Sequence, residues 1–250
     1  MNEIKLSRRL EAVVKEIPAG ARIADIGTDH ACLPCRAVLA GIAVSAIAGE
    51  IVEGPYRAAC RQVAQSGLEG RVSVRKGDGL GVVGPGEVDV LILSGLGGAA
   101  IRDILEQGKA KLDSVVRLIL QPNIAAHHVR RWFLDNGWEL VKENILEEAG
   151  EIYEILIGER GQPERPYKRD LPERTCKALD VSRSPSQAEI LLGPFLMAEK
   201  SETFIKKWSR ELKSLQKIQR RLEQANETTE TIARKQDVQA KMDIIREALP

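Results

Sequence analysis

The amino-acid sequence predicts an α/β fold: a doubly wound, mostly parallel sheet with an antiparallel edge strand, followed by an α-helical coiled-coil hairpin. Three observations predict this architecture. Short apolar runs alternate with segments of helical periodicity over the first 160 residues. The last two apolar runs of that region are separated only by a turn near Ala149–Gly150. From Gln187 onward, apolar residues recur every three or four positions.

The elements follow in a regular order. Apolar residues at helical spacing predict a first helix over Glu3–Ile17, which Pro18 ends. Strand and helix segments then alternate as ARIADIG and LPCRAVLAGI, SAIAGEI and PYRAACRQVAQSG, RVSVRKGD, VDVLILSG and GAAIRDILEQGKAKL, and VRLILQP and AAHHVRRWFLDNG. Such alternation indicates right-handed βαβ units with parallel strands. The final pair, within WELVKENILEEAGEIYEILIGE, lacks a helix between its strands and is therefore expected to be antiparallel.

The chain is expected to divide into three parts. Residues 1–160 form the α/β domain, 161–186 a linker that contains four prolines, and 187–250 the helical domain. The helical domain has two helical stripes on either side of the polar segment QANETTET, which predicts a projecting antiparallel hairpin. The alternative is that both stripes pack against the first domain.

Composition limits the function classes. Of the 250 residues, 43% are hydrophobic and 4% aromatic, which indicates a globular protein with an aliphatic core. No apolar run reaches the roughly 20 residues of a membrane span, and the N-terminal segment does not have the pattern of a signal peptide, so a cytoplasmic protein is expected. Residues 1–158 carry a net charge of −3 and residues 159–250 a net charge of +4, which permits an anionic partner for the C-terminal part.

Four cysteines show no disulfide framework, which fits a reducing compartment: Cys32, Cys35, Cys60 and Cys176. The Cys32–Cys35 pair has the C-x-x-C spacing of redox motifs and half zinc sites. No further ligands stand at zinc-site spacing, so we favour buried thiols and expect no metal.

The segment ADIGTDH indicates the type of ligand. Ligands of open parallel sheets bind at the carboxyl ends of the strands. Gly27 allows close approach there, but the three-glycine pattern of dinucleotide sites is missing, which argues against NAD or FAD. Asp25 and Asp29 make the loop acidic, which suits a cationic ligand without phosphate, such as S-adenosylmethionine (SAM).

Three later strand ends carry residues of the same character. Glu50 follows Asp25 by 25 residues, which fits an acidic residue that accepts ribose hydroxyls. Asp78 is suited to accept a hydrogen bond from an adenine amine. The small residues of Ser94–Gly98 let the backbone approach a flat base. Each feature alone is more often an ordinary polar turn, and their joint occurrence makes the pattern specific.

Seven segments together resemble one bacterial family across nearly the whole chain: ADIGTDHACLP, AGEIVEGP, VRKGDGL, ILSGLGG, RLILQPN, HHVRRWFLDNGWEL and GEIYEIL. That family is the tRNA (adenine-N1)-methyltransferases that modify the D-arm adenosine at position 22. The resemblance implies a class I SAM-dependent methyltransferase domain, SAM as methyl donor, and a C-terminal coiled coil that takes part in tRNA binding.

The resemblance also implies roles for individual residues. Asp25 and Gly27 lie at the methionine end of SAM, and Glu50 holds the ribose. The remaining cofactor-binding residues are Asp78 and Gly79 at the adenine, and Ser94 and Gly95 on the side of methyl transfer. Two positions depart from the family pattern: Cys32 stands where a tyrosine is usual, and Leu96 where a methionine is usual. The resemblance implies that the loss of an aromatic ring at Cys32 affects the positioning of the target base or the rate, and not the binding of SAM.

Adenine N1 already carries a lone pair, so alignment and desolvation are expected to matter more than proton removal. The target base must leave its stack to reach a buried donor. The product is cationic, and a carboxylate would stabilise it. Asp29 is the catalytic candidate, with His30 orienting it, and the alternative is that the two form a helix N-cap pair.

RNA is expected to be held mainly through its phosphates. The candidate contacts are Arg8, Arg9, Asn123, His127, Arg130, Lys206, Lys207, Arg220 and Arg221. For His127 and Arg130, a solvated helix face with one core histidine is an equal alternative. A SAM enzyme for small molecules, a non-enzymatic coiled-coil adaptor and an NAD-dependent oxidoreductase are the competing interpretations. A monomer acting on tRNA, without membrane or metal, is favoured.

Overall fold

The computed structural model describes residues 4–167, 185–224 and 226–250. The contacts divide the chain into two compact units, Met1–Arg165 and Pro166–Pro250. Most of the predicted linker 161–186, including Cys176, lies outside the described residues, so the domain limits predicted at residues 160 and 186 stay predictions. Among the described residues, no helix is both long and apolar enough to cross a membrane.

The first unit is built on one sheet of seven strands. The strands are β1 (Ala21–Ile26), β2 (Ala43–Glu50), β3 (Val72–Lys76), β4 (Val90–Gly97), β5 (Arg117–Ile124), β6 (Trp138–Glu148) and β7 (Glu151–Arg160). Their order is β3-β2-β1-β4-β5-β7-β6, and β1 to β5 pair in parallel. The order reverses between β1 and β4, so a binding crevice is expected at the carboxyl ends of these two strands.

The predicted fold class is confirmed, with a refinement at the reversed strand. Strand β7 is antiparallel to both β5 and β6, so it lies one place inside the edge and β6 forms the edge itself. The turn between them falls at the predicted position. Ala149 and Gly150 both have positive φ, 52° and 86°, as a type I′ turn requires. This turn sets Glu148 opposite Glu151 and thereby fixes the register of the hairpin.

Within the described part of the first unit, the sheet is accompanied by the helices α1 (Arg8–Val14), α2 (Cys32–Leu39), α3 (Glu53–Gln65), α4 (Gly98–Gln107) and α5 (His127–Asp135). Helices α1 to α3 share one apolar cluster with alternate strand residues such as Ile23, Ile92 and Ile119. Because neighbouring strand residues point to opposite faces, the side chains of Leu91 and Leu118 project toward the other face. Helices α4 and α5 contact each other and cover that second face.

Helix α1 is shorter than the predicted span of residues 3–17. It begins at Arg8, because Ser7 has an extended backbone and its hydroxyl oxygen accepts the N–H of Leu10 at 3.2 Å. Serine is a preferred N-cap residue for this reason. Leu6, which belongs to the predicted apolar stripe, therefore lies in a non-helical segment before the helix.

The second unit is helical in its described parts. Its helices are α6 (Gln187–Leu192), α7 (Pro194–Glu199), α8 (Glu202–Glu223) and α9 (Thr229–Ala248). Helices α8 and α9 pack on each other, and the five-residue connection between them makes the pair antiparallel. Gln219 Nε2 donates to Gln239 Oε1 across the pair at 2.7 Å. Phe204, Trp208 and Met242 are among the buried residues of this pair.

A buried ion triad ties α5 to the β6–β7 hairpin, and it corrects one prediction. The side chain of Arg130 is fully buried, and its Nε donates to Glu143 Oε1 at 2.6 Å. Its Nη2 donates to Glu154 on β7. Arg130 was predicted to contact RNA, but it has no exposed surface with which to do so. It instead neutralises two carboxylates that would be costly to bury alone.

We expect Arg130→Met to lower the free energy of unfolding by about 3–5 kcal/mol, since it leaves two buried carboxylates without their cation. Arg131→Met is the matched control, because Arg131 is the exposed neighbour on the same helix, and it should change stability by less than about 0.5 kcal/mol. Urea denaturation of both variants measures the difference. Equal stability of the two variants would contradict a structural role for the triad.

Candidate functional site

A cavity of about 250 Å³ opens at the carboxyl ends of β1, β4 and β5, beside α1 and α2. Its position is where the strand order reverses, as expected for an open α/β sheet. Its lining consists of Arg9, Leu10, Asp25, Gly27, Asp29, Leu33, Ser94, Gly95, Leu96 and Asn123. The structure thus brings together five of the residues singled out for the cofactor or for catalysis, along with two of the residues predicted for RNA.

The loop after β1 is held against β2 by its backbone. The N–H groups of Gly27 and Thr28 both donate to the carbonyl of Gly49, at 2.9 and 3.1 Å. Gly27 has φ of +71°, a left-handed conformation that glycine adopts without strain. The result is a tight turn whose start, Asp25, points into the cavity.

Asp25 is a buried carboxylate in this loop. The hydroxyl of Thr28 donates to its Oδ2 at 2.6 Å. Burial raises the pKa of Asp25 to about 6, and the hydrogen bond from Thr28 and the positive charge of Arg9 oppose that rise. A cationic ligand beside Asp25 would compensate the burial of its charge.

Asp29 lines the cavity, and the next two residues have unusual backbone conformations. His30 and Ala31 both have positive φ, 54° and 55°. Asp29 Oδ1 lies 3.4 Å from His30 Nε2, and both side chains are exposed. The N-cap of α2 is Ala31, which makes no side-chain capping bond, so Asp29 and His30 are not the N-cap pair of that helix. Consecutive strained residues of this kind are often found at functional sites.

Glu50, Asp78 and Gly79 lie at the neighbouring strand ends, outside the lining of the cavity. Glu50 is buried, and its Oε1 accepts the N–H groups of Ile51 and Val52, each at 2.9 Å. These two bonds use one carboxylate oxygen and orient the other. Asp78 is exposed at the start of a 3-10 turn over Gly79–Val82, and its side chain makes no capping bond there.

A hydrogen-bonded chain that the sequence reasoning missed connects α1 to β4 and β5. The fully buried Gln121 accepts the N–H of Gly95 at 3.1 Å and a bond from Nη1 of Arg9. Its Nε2 donates to Asn123 Oδ1 at 3.1 Å, and Asn123 Nδ2 donates to the Gly95 carbonyl at 2.8 Å. The single polar residue in the otherwise apolar run LILQP was the available signal for Gln121.

Arg9 and Asn123, both predicted to bind RNA, are therefore in the cavity. The Arg9 guanidinium also lies over the ring of Tyr153, 5.2 Å from its centre. The cavity consequently presents one guanidinium together with the carboxylates of Asp25 and Asp29. This charge pattern is complementary to a zwitterionic amino-acid group, with its carboxylate at Arg9 and its ammonium at Asp25.

The cysteines of the C-x-x-C segment have the character of structural thiols. Cys35 is buried, and burial raises the pKa of its thiol to about 11. Burial also raises the pKa of Cys32 above its usual range. A redox-active cysteine has a lowered pKa, so these values argue against that interpretation. Within the described parts of the chain, no group of three or more His, Cys, Asp or Glu residues is arranged for a metal ion.

The other residues predicted for RNA are dispersed. Arg8 is exposed on α1. His127 is partly buried, and its ring centre lies 4.3 Å from that of His128 with the two ring planes tilted by 37°. In the second unit, α8 carries exposed Lys206, Arg220 and Arg221, and the ammonium of Lys207 lies 5.2 Å from the centre of the Trp208 ring.

Comparisons with known proteins agree on one family. The family model described as TrmK, tRNA (adenine(22)-N(1))-methyltransferase, matches residues 23–247. A Bacillus subtilis (strain 168) protein named tRNA (adenine(22)-N(1))-methyltransferase is 45% identical over 249 residues, which cover 100% of this chain and 99% of that protein.

Two solved structures extend the comparison. The crystal structure of the B. subtilis M1A22 tRNA methyltransferase TrmK superposes with a TM-score of 0.88 at 43% identity, and covers 99% of this chain and 100% of its own. Streptococcus pneumoniae Sp1610 in complex with S-adenosyl-L-methionine gives a TM-score of 0.82 at 38% identity, over 98% of this chain and 100% of its own.

The raised pKa of Asp25 generates a prediction about the ligand-free protein. Its folded-state pKa of about 6 lies above the ordinary 3.8, so the folded chain binds the proton more tightly than the unfolded chain. Asp25 therefore costs stability above pH 6, and this cost disappears as the pH falls below about 4. We expect Asp25→Asn to raise the free energy of unfolding at pH 8 by up to about 3 kcal/mol, and to have little effect at pH 4.

Chemical denaturation at both pH values, without ligand, measures the effect. Asp78→Asn serves as the control, because Asp78 is an exposed carboxylate at the same edge of the sheet. A gain in stability that is the same at pH 8 and pH 4 would contradict the burial of charge at Asp25.

Proposed function

Because the chain belongs to the TrmK family of tRNA (adenine(22)-N(1))-methyltransferases, we infer that it transfers a methyl group from SAM to N1 of adenosine 22 in tRNA. Full-length similarity to the B. subtilis enzyme supports this reaction. The observation in the structure that carries it is the cavity at the switch point, with two carboxylates and one guanidinium and no phosphate-binding glycine turn.

The residues present fit SAM. Asp25 is a buried carboxylate with a raised pKa and is suited to accept hydrogen bonds from an ammonium. Arg9 stands across the same cavity and is suited to a carboxylate. Glu50, with one oxygen fixed by backbone N–H groups, is suited to the ribose hydroxyls, and Asp78 with Gly79 to the adenine. When bound, SAM supplies a methyl group activated by its sulfonium.

The chain's own residues orient the acceptor base and hold charge. Adenine N1 attacks with an existing lone pair, so no residue needs to remove a proton beforehand. Asp29 lies at the cavity and is exposed, in a position to stabilise the positive charge that develops on the base. His30, 3.4 Å from Asp29, orients that carboxylate. Asn123, Ser94 and Leu96 line the same space, which the flipped base must enter.

Helix α8 provides a basic stripe for tRNA. Its members are Lys206, Arg210, Lys213, Lys217 and Arg220, all exposed. They are separated alternately by four and three residues, so they share one face of the helix over about 21 Å. A row of cations at this spacing suits the phosphates of an RNA backbone. Arg221 adjoins its end, and Arg8 belongs to the first unit.

The expected monomer and the expected cytoplasmic location are part of this proposal. We propose that the protein acts as a monomer. Transfer RNA as substrate supports a cytoplasmic location.

The first experiment is transfer of labelled methyl from SAM to unmodified tRNA, followed by nucleoside analysis. We expect 1-methyladenosine to form only when tRNA is present. Asp29→Asn should lower kcat by about 10- to 100-fold, since it removes charge stabilisation of the product-like transition state, while SAM binding is retained. Asp113→Asn, an exposed aspartate elsewhere in the first unit, is the matched control. Methylation of a small molecule without tRNA would contradict the proposed substrate. An unchanged kcat in Asp29→Asn would contradict the proposed role of Asp29 in stabilising charge.

A second experiment tests the basic stripe. Lys213→Glu/Lys217→Glu should weaken tRNA binding by at least about tenfold and reduce its dependence on salt, with SAM affinity unchanged. Lys109→Glu/Lys111→Glu makes the same change in charge at a turn after α4 and should have a smaller effect. Filter binding at several salt concentrations gives both quantities. Equal loss of SAM and tRNA binding would indicate misfolding and contradict the stripe's specific role.

A further inference from the structure

We propose that Glu148, at the tip of the β6–β7 hairpin, is a positioning residue that sets the affinity for the carboxylate end of SAM by fixing Arg9. The proposal rests on the proposed function, because it takes SAM as the ligand of the cavity. It assigns to the hairpin a role in cofactor recognition, although neither β6 nor β7 contributes a residue to the cavity lining.

The first observation is a pair of hydrogen bonds between distant parts of the chain. Glu148 Oε1 accepts the N–H of Arg8 at 2.6 Å, and Oε2 accepts the N–H of Arg9 at 3.2 Å. Both donors belong to the first turn of α1, where backbone N–H groups have no partner inside the helix. Burial acts to raise the pKa of Glu148, but these bonds outweigh it and hold the pKa below its usual value. The carboxylate therefore stays charged and fixes the start of α1.

The second observation is that the other strand of the hairpin meets the side chain of the same arginine. Tyr153, the register partner of Leu146, places its ring 5.2 Å from the Arg9 guanidinium carbon. Arg9 Nη1 donates to Gln121, and it lies 3.8 Å from where a Cβ on Gly95 would be. Arg9 is thus held at its backbone by β6, at its side chain by β7, and at its tip by β5.

The third observation is that the register of the β6–β7 hairpin fixes the position of Glu148. Strand β7 pairs with β5 only over Leu156–Glu159, while its pairing with β6 continues to Glu151. The outer part of the hairpin therefore extends beyond its pairing with β5. The two-residue turn with positive φ at Ala149 and Gly150 gives the register no freedom, so Glu148 is presented to α1 in one place.

The consequence concerns one end of the ligand. Arg9 is the guanidinium that faces Asp25 and Asp29 across the cavity, so it is the group suited to a carboxylate. Without the bonds from Glu148, the first turn of α1 loses two backbone partners and Arg9 loses its anchor. Affinity should then fall for ligands that have the carboxylate and not for ligands that lack it.

The experiment compares Glu148→Gln with Glu151→Gln. Glu151 stands directly across the turn and is exposed, so its variant makes the same change in charge without touching α1. Calorimetric titration of the wild type and both variants with SAM and with decarboxylated SAM gives the dissociation constants. We expect Glu148→Gln to raise the Kd for SAM by about tenfold, as for a charge-assisted hydrogen bond, and to change that for decarboxylated SAM by less than about twofold. Glu151→Gln should resemble the wild type with both ligands.

A double variant tests whether the effect passes through Arg9. Glu148→Gln added to Arg9→Ala should weaken SAM binding no further than Arg9→Ala alone, because the two changes remove one interaction. An additive loss, an equal loss for both ligands, or an unchanged Kd for SAM in Glu148→Gln would each overturn the proposal. These outcomes leave the proposed function standing as long as the wild type still methylates tRNA. A wild type that binds neither ligand would overturn the proposed function itself.

Discussion

The site depends on one constraint, the burial of the Asp25 carboxylate at the point where the strand order of the sheet reverses. A buried carboxylate raises the free energy of the ligand-free protein, as its pKa of about 6 indicates. The surrounding residues compensate only in part, through the hydroxyl of Thr28 and the charge of Arg9. A ligand with a positive charge completes the compensation. The fold thus favours a cationic ligand before any residue contacts the acceptor base.

A series of hydrogen bonds runs from Arg9 through Gln121 to Asn123 and Gly95. It connects the residue proposed for the cofactor carboxylate with a residue proposed for the acceptor base. All three lining residues, Arg9, Asn123 and Gly95, face one cavity, in which we assign Arg9 to the carboxylate of the cofactor and Asn123 to the space for the base. Because Gln121 is fully buried, it has no alternative partners in solvent, and the positions of all four residues are fixed together. Alignment of donor and acceptor, which a reaction without proton removal requires, is therefore a property of the core.

The sequence was sufficient to predict the position of residues that follow a strand within one βα unit. It was insufficient for residues whose contacts come from elements distant in the chain. Asp25, Gly27 and Ser94 follow apolar runs, so their meeting at one sheet edge could be predicted from the parallel topology. The burial of Arg130 depends on carboxylates 13 and 24 residues later, whose orientation is set by the register of β6 and β7. Arg9 looked like a surface cation because its contacts with Gln121 and Tyr153 bridge more than a hundred residues.

The two positions expected to depart from the family pattern, Cys32 and Leu96, fall at different places in the structure, and this bears on how the proposed acceptor base is held. Leu96 lines the cavity, whereas Cys32 does not, and its half-buried thiol starts α2. A leucine at the lining offers an apolar contact to a flat base, although without the stacking of an aromatic ring. Two lining residues, Asn123 and Asp29, offer polar contacts to the proposed base. The Asn123 side chain is held by its hydrogen bond to the Gly95 carbonyl, whereas the Asp29 carboxylate is exposed. In the proposed function, base positioning therefore rests on these two polar groups beside an aliphatic wall, which fits the low aromatic content of 4%.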